Sequence, residues 1–189
     1  INNLNKNYGT RQKFLKSLPF PSRVLDLGCG RGSNSVSYLR KQFPDVKVFG
    51  VDLLDRTEIP DYINYKKHDL DKDPLPYPDD YFDVILFVHV IEHLEQPLQL
   101  GSEVNRVLKN GGLIYVETPN WTTMFVPSFG IKREQHNPFN FYDDPTHEKP
   151  WSKQGLFEFL YQSCELKVKK VGTVRNWPMV PFDLVRLII

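Results

Sequence analysis

Apolar residues in this chain fall into short runs punctuated by glycine, proline and acidic residues, and the runs alternate in type. Val24, Leu25 and Leu27 form one such run, closed by Gly28, Gly30 and Gly32, which predicts a buried strand over 24–27 and a tight turn after it. Ser33 or Asn34 can cap the helix that follows. Over 35–43, Val36, Leu39 and Phe43 recur at i, i+3, i+7, an amphipathic helix stopped by Pro44. Further strands are predicted over 46–51, 63–67 and 82–88, the last so apolar that both its faces must be covered. Leu100, Val104, Val107 and Leu108 have helical spacing, with Asn110-Gly111-Gly112 as a C-cap, and 113–117 reads as the fifth strand. Upstream, Phe14, Leu15 and Leu18 share one face of a helix over 10–18, ended by Pro19 and Pro21. Downstream, Trp151-Ser152 opens a helix bearing Leu156, Phe159 and Leu160, and 165–171 reads as the sixth strand, with Lys167 and Lys169 on a solvated face.

Strands alternating with helices or loops from 23 to 118 predict an α/β fold, an open, doubly wound, mostly parallel sheet. Ligands in such sheets sit at the carboxyl ends of the strands, by the switch point. Two segments stand apart. Residues 119–150 are too long for an ordinary connection and carry Trp121, Phe125, Phe129, Phe139, Phe141 and Tyr142, which argues against disorder and for a substrate-binding insertion. Residues 182–189 suit either a strand or a helix opened by Pro181. The helix is preferred, because Asp183 and Arg186 do not belong on a buried strand. The sheet then shows an open edge.

At 189 residues the chain reads as one domain, 1–189. Its net charge of +1 gives no argument for nucleic acid or an anionic membrane surface. Two cysteines without a C-x-x-C pattern fit a reducing, cytoplasmic setting, and no apolar run approaches the ~18 residues of a membrane span.

The glycine spacing narrows the ligand. A dinucleotide fingerprint needs G-x-G-x-x-G over a helix N-terminus, but its third glycine is Ser33 here. Asp26, two residues before the first glycine, would repel a pyrophosphate and suits a ligand with a cationic end. Asp52 closes the second strand ~20 residues later, where βαβ nucleotide sites hold a ribose diol.

The segment Val-Leu-Asp-Leu-Gly-Cys-Gly-Arg-Gly over 24–32 resembles motif I of the class I S-adenosylmethionine (SAM)-dependent methyltransferases. The run Leu-Pro-Tyr-Pro-Asp-Asp-Tyr-Phe-Asp-Val from Leu75 is similar to that family's entry into the fourth strand. The resemblance covers 23–118 by motif and 146–171 by pattern. It implies a Rossmann-like methyltransferase fold of seven strands, the seventh antiparallel between the fifth and sixth, so a helix over 182–189 would leave the sheet without its seventh strand, which would lie past residue 189. It also implies SAM as cofactor, and methyl transfer to an oxygen or nitrogen of a small-molecule acceptor. It implies cofactor binding by Asp26, Gly28, Gly30, Asp52, Leu53, Asp69, Leu70 and His89, with Asp69 on the adenine amino group. A turn-forming role for Asp69 is the alternative. The N-terminal helix would cover the cofactor, with Tyr8 and Arg11 lining the site, or simply pack on the sheet.

Transfer from a sulfonium is an in-line displacement helped mainly by positioning. A hydroxyl acceptor also gains from a base titrating near the working pH, which favours histidine. His89, Glu92 and His93 have i, i+3, i+4 spacing, one face of a helix; His136 and His147 are further candidates. The hexapeptide His-Val-Ile-Glu-His-Leu resembles the Glu-x-x-Glu-His signature of ubiquinone-type O-methyltransferases and small-RNA 2′-O-methyltransferases, with His89 in place of the first acid. In those families these side chains and a later histidine, matched here by His147, hold a divalent metal. A histidine-rich set would prefer ions softer than magnesium. The preferred expectation keeps His147, His93 and Glu92 in catalysis, His147 as acceptor contact or base, without a metal. In the plainest alternative, Glu92 offsets a helix dipole and the histidines pack. Two rival functions are a SAM-binding regulator without turnover and an NAD-dependent dehydrogenase, the latter disfavoured by Ser33 and Asp26.

Overall fold

Among the described residues seven strands form one sheet. The computed structural model describes residues 9–19, 21–125, 140–175 and 183–188, the last six and residues 9, 10, 174 and 175 by backbone alone. β1 (Arg23–Leu27), β2 (Lys47–Asp52), β3 (Ile63–Lys67), β4 (Phe82–Val88) and β5 (Leu108–Pro119) run parallel in the order β3-β2-β1-β4-β5, so the chain order reverses between β1 and β4. Helices α1 (Gly9–Lys16), α2 (Asn34–Gln42), α3 (Pro97–Val107) and α4 (Lys153–Glu158) complete the described α-elements. Among the described residues no helix is long and apolar enough to cross a membrane.

The period-2 alternation of β1 divides the core. Leu25 and Leu27 join Ile85, Phe87, Ile114 and Val116 beneath Leu100 and Val104 of α3 and Leu156 of α4. Val24 joins Val48, Val84, Leu86 and Tyr115 beneath Phe14 and Leu15 of α1 and Val36 and Leu39 of α2. Asp26 shares the parity of Val24 and therefore enters the α1/α2 side. Ser33 caps α2 by accepting the Val36 N–H, and Ser152 caps α4 by accepting the Gly155 N–H.

Three expectations are corrected. Asn110-Gly111-Gly112 is no helix cap: α3 gives way at Leu108 directly to β5, and the glycines lie in a register shift where Phe82 faces Leu108 but Val84 faces Leu113. The sixth strand, β6 (Lys170–Arg175), begins five residues late. Glu165 at φ +52° breaks the extended run after the π-turn Phe159–Ser163, while Leu166 and Val168 pack on the core without a ladder partner in the described sheet. The seventh strand is present. β7 (Asp183–Ile188) runs antiparallel between β5 and β6, so a helix over these residues and a sheet lacking its seventh strand are both excluded. The backbone register sets Arg186 opposite Glu117 of β5 and Gly172 of β6.

Candidate functional site

The carboxyl end of β1 is a turn that only glycine makes without strain. Gly28 sits at φ +63° with the Val90 side chain where a Cβ would go, and Gly30 at φ +49° faces open space. The Gly30 N–H donates to Asp52 Oδ2 at 2.8 Å, and Asp52 Oδ1 accepts the Leu54 N–H at 3.1 Å, tying the turn to the end of β2. Asp26 is buried and accepts Ser33 Oγ–H at 2.9 Å, the same oxygen that caps α2. Burial raises its carboxyl to about 7, and the charge of Asp52 adds to this, against the Ser33 hydrogen bond and the Arg11 charge.

Leu53 follows β2 with 63% of its surface exposed, and Leu70 is partly buried against the core. Asp69 does form the Asx turn that was its alternative: Oδ1 accepts the Asp71 N–H at 3.1 Å and Oδ2 meets Lys72 Nζ at 2.7 Å. These contacts, the lysine first, hold it below the usual carboxylate range. Tyr8 lies outside the described residues.

A second cluster stands at the ends of β4 and β5. His89 adopts φ +56°, rare for a residue with a side chain, while its N–H donates to Glu117 O at 2.8 Å. Its ring lies between two buried acids, Nδ1 3.4 Å from Glu92 Oε1 and Nε2 3.7 Å from Glu117 Oε1. His89, Glu92 and His93 do not share a helix face. Val90 leaves helical geometry and Ile91–His93 is a single 3-10 turn, so the three side chains gather through a strand end. Glu92 is fully buried; Oε2 accepts Thr118 Oγ1–H at 2.9 Å, and Oε1 accepts no hydrogen bond.

Sequence reasoning passed over Glu117. Arg11 Nε and Nη2 reach its two oxygens at 3.0 and 2.9 Å, and Tyr115 OH donates to it at 2.8 Å. The available signal was an acid closing a strand otherwise apolar over Ile114, Tyr115 and Val116, which demands a partner when buried.

The far side of the cleft comes from 140–152. Glu148 and Lys149 donate backbone N–H groups to Glu92 O at 2.7 and 3.2 Å, and Trp151 bridges Asn120. This brings His147 to His93, ring centroids 4.7 Å apart, with His147 also against the buried Phe141 ring at 4.5 Å. One ligand atom each from Glu92, His93 and His147 lies within 4.8 Å of the others. One carboxylate and two imidazoles, with a buried oxygen lacking a donor, fit a borderline divalent ion better than magnesium. Trp121, Phe125 and Tyr142 are exposed; Phe129, His136 and Phe139 lie outside the described residues.

A family model described as a methyltransferase domain matches residues 6–162. An uncharacterized methyltransferase of Schizosaccharomyces pombe is 32% identical over 117 residues, 53% of this chain and 41% of its own length. The chain spans between 20% and 41% of the length of the first curated relatives it matches. Among solved structures, a SAM-dependent methyltransferase from Archaeoglobus fulgidus superposes with a TM-score of 0.64 at 23% identity, covering 97% of this chain and 96% of that one. One from Mesorhizobium loti gives 0.68 at 20% identity, covering 97% of each. Both show the same Rossmann-like architecture.

Proposed function

Since the chain belongs to the methyltransferase-domain family, class I and SAM-dependent, we propose that it transfers the methyl group to an oxygen or nitrogen of a small-molecule acceptor bound against residues 119–150. The observation carrying this reading is the pairing of a cofactor half with an acceptor half across the switch point. On the cofactor half, Asp26 receives the amino group of the methionine moiety, the turn at Gly28 and Gly30 gives it room, and Asp52 holds the ribose diol. Leu53 and Leu70 flank the adenine, Asp69 accepts from its amino group, and His89 stands toward the sulfonium.

When bound, SAM supplies a methyl group made electrophilic by its sulfonium, and the C–S electron pair leaves with the sulfur. His147 Nδ1 lies 2.6 Å from Phe141 O, so that nitrogen carries the proton and Nε2 keeps a lone pair. Nε2 takes the acceptor's proton as the new bond to carbon forms, while Glu92 and His93 orient the acceptor. A cleft holding these polar groups supports turnover over a SAM-binding regulator. A net charge of +1 supports a small acceptor over nucleic acid.

One observation favours a second reading. The convergence of Glu92, His93 and His147 would hold a divalent ion, supplying Lewis acidity that lowers the pKa of an acceptor hydroxyl.

Calorimetry tests the cofactor half. SAM and its demethylated product are expected to bind, and Asp52→Ala to weaken both by about tenfold or more, since a buried charged hydrogen bond is worth about 1.5–3 kcal/mol. Binding of NAD in preference to SAM would overturn the assignment.

The affinity also carries a pH signature. Asp26 must be ionised to meet an ammonium, and without ligand it is held near 7. A proton therefore leaves on binding, and affinity is expected to fall about tenfold per unit as pH drops below that value. Asp26→Asn should lose both affinity and slope. An affinity unchanged between about pH 6 and 8 would remove Asp26 from the amino-group site.

A further inference from the structure

Within the acceptor half, two side chains outside the converging trio are arranged around it. Asp144 Oδ1 accepts twice from Thr146, from the backbone N–H at 2.9 Å and from Oγ1–H at 2.6 Å. The hydroxyl proton is thus committed. The Thr146 oxygen turns its remaining acceptor capacity to His93 Nδ1 at 2.9 Å, and Thr146 O stands 3.1 Å from the same nitrogen. Two acceptors face one ring nitrogen, so Nδ1 of His93 carries the proton and Nε2 keeps its lone pair. Asp144 Oδ2 is 3.9 Å from His147 Nε2, outside hydrogen-bond range, so it does not consume that lone pair.

We propose that Asp144 and Thr146 are the positioning pair of the acceptor half, setting His93 in the Nδ1–H tautomer so that its Nε2 keeps a lone pair, as that of His147 does. The inference rests on the methyltransferase reading for its consequence but not for its geometry. It supplies what either reading of the trio needs. A group that accepts a proton from the acceptor, or that binds a cation, must offer a lone pair and not an N–H. Without Asp144, the Thr146 hydroxyl is free to turn and donate to His93 Nδ1. Thr146 O still faces Nδ1 at 3.1 Å, so the ring proton shifts toward Nε2 in part, and in that fraction the Nε2 lone pair is lost.

Long-range proton–nitrogen NMR correlation on the 15N-labelled full chain reads the tautomers directly. His93 and His147 are expected as Nδ1–H, with assignments from His93→Gln and His147→Gln. Asp144→Ala should lower the Nδ1–H to Nε2–H ratio of His93 by about tenfold, the worth of one hydrogen bond. Asp144→Asn, which keeps an accepting oxygen, should retain the wild-type ratio. The double variant Asp144→Ala/Thr146→Val has no hydroxyl to donate, leaves Thr146 O as acceptor, and should return His93 to Nδ1–H. His147, held by Phe141 O, serves as the internal reference for an intact fold. In a turnover assay Asp144→Ala should reduce kcat and leave SAM affinity unchanged.

An unchanged His93 tautomer in Asp144→Ala, with His147 still Nδ1–H, would overturn the proposal. So would a double variant that resembles Asp144→Ala. If His147 also changes, Asp144 supports the fold of the segment and the positioning role is lost. Should the tautomers respond as expected in a protein that transfers no methyl group, the functional reading fails and the positioning pair stands.

Discussion

Alanine at position 147 is expected to lower kcat by about 10²- to 10⁴-fold, the span of a lost general base, while the SAM dissociation constant stays within about threefold, a change below about 0.7 kcal/mol. The two effects separate because His147 belongs to the acceptor half. Its ring touches Phe141 and His93, and its Nδ1 is spent on a backbone carbonyl. The cofactor half is held by hydrogen bonds of its own, from Ser33 to Asp26 and from Gly30 to Asp52. Single-turnover methyl transfer alongside calorimetry makes the comparison. Equal loss of turnover and of SAM affinity would mean that His147 supports the fold. The same assay separates the two readings of the trio: a chelator should bring wild-type turnover down to the His147→Ala level if a divalent ion organises the acceptor, and leave it unchanged if the imidazole acts alone.

Gly28→Ala is expected to cost about 2–5 kcal/mol, combining about 1–2 for a left-handed backbone with about 1–3 for overpacking, and to abolish measurable SAM binding. The new methyl group would overlap the Val90 side chain, and Val90 is held between β4 and the 3-10 turn bearing Glu92. Relief therefore has to displace either the cofactor turn or the acceptor cluster. Gly30→Ala shares the positive φ but meets no atom within 4 Å, so it should cost only about 1 kcal/mol, the backbone contribution alone. Urea unfolding of the two variants gives the contrast. Equal losses would show that backbone conformation and not the Val90 contact sets the requirement for glycine.

How much could be read in advance depended on how local the determining physics is. β1, β2 and β4 were legible because inner strands of a parallel sheet are covered on both faces and so appear as apolar runs closed by glycine, proline or acid. Gly28, Gly30 and Asp52 could be placed by the same reasoning, since each directly follows or closes such a run. β7 was not legible. Its charged positions speak against burial when taken alone, and the ladder pairings that place it between β5 and β6 join segments apart in the chain. The start of β6 was missed because alternation of Leu166 and Val168 reports burial of one face, not ladder pairing. At 89–93 the helical spacing brought the right residues together for the wrong reason. His89 in a left-handed conformation followed by one 3-10 turn achieves the gathering, and a positive φ at histidine has no signature in sequence. Glu117 escaped notice because its partner Arg11 lies 106 residues away.

Asn140 Nδ2 donates to Met124 O at 3.0 Å, and Trp121 N–H donates to Trp151 O at 3.1 Å. The described segments 121–125 and 140–151 are thus tied directly to each other, and the second is tied in turn to Glu92 by the backbone N–H groups of Glu148 and Lys149. In mechanical terms the acceptor half is cross-braced, so a strain imposed at Trp121 or Met124 is passed through backbone bonds to the segment that carries His147.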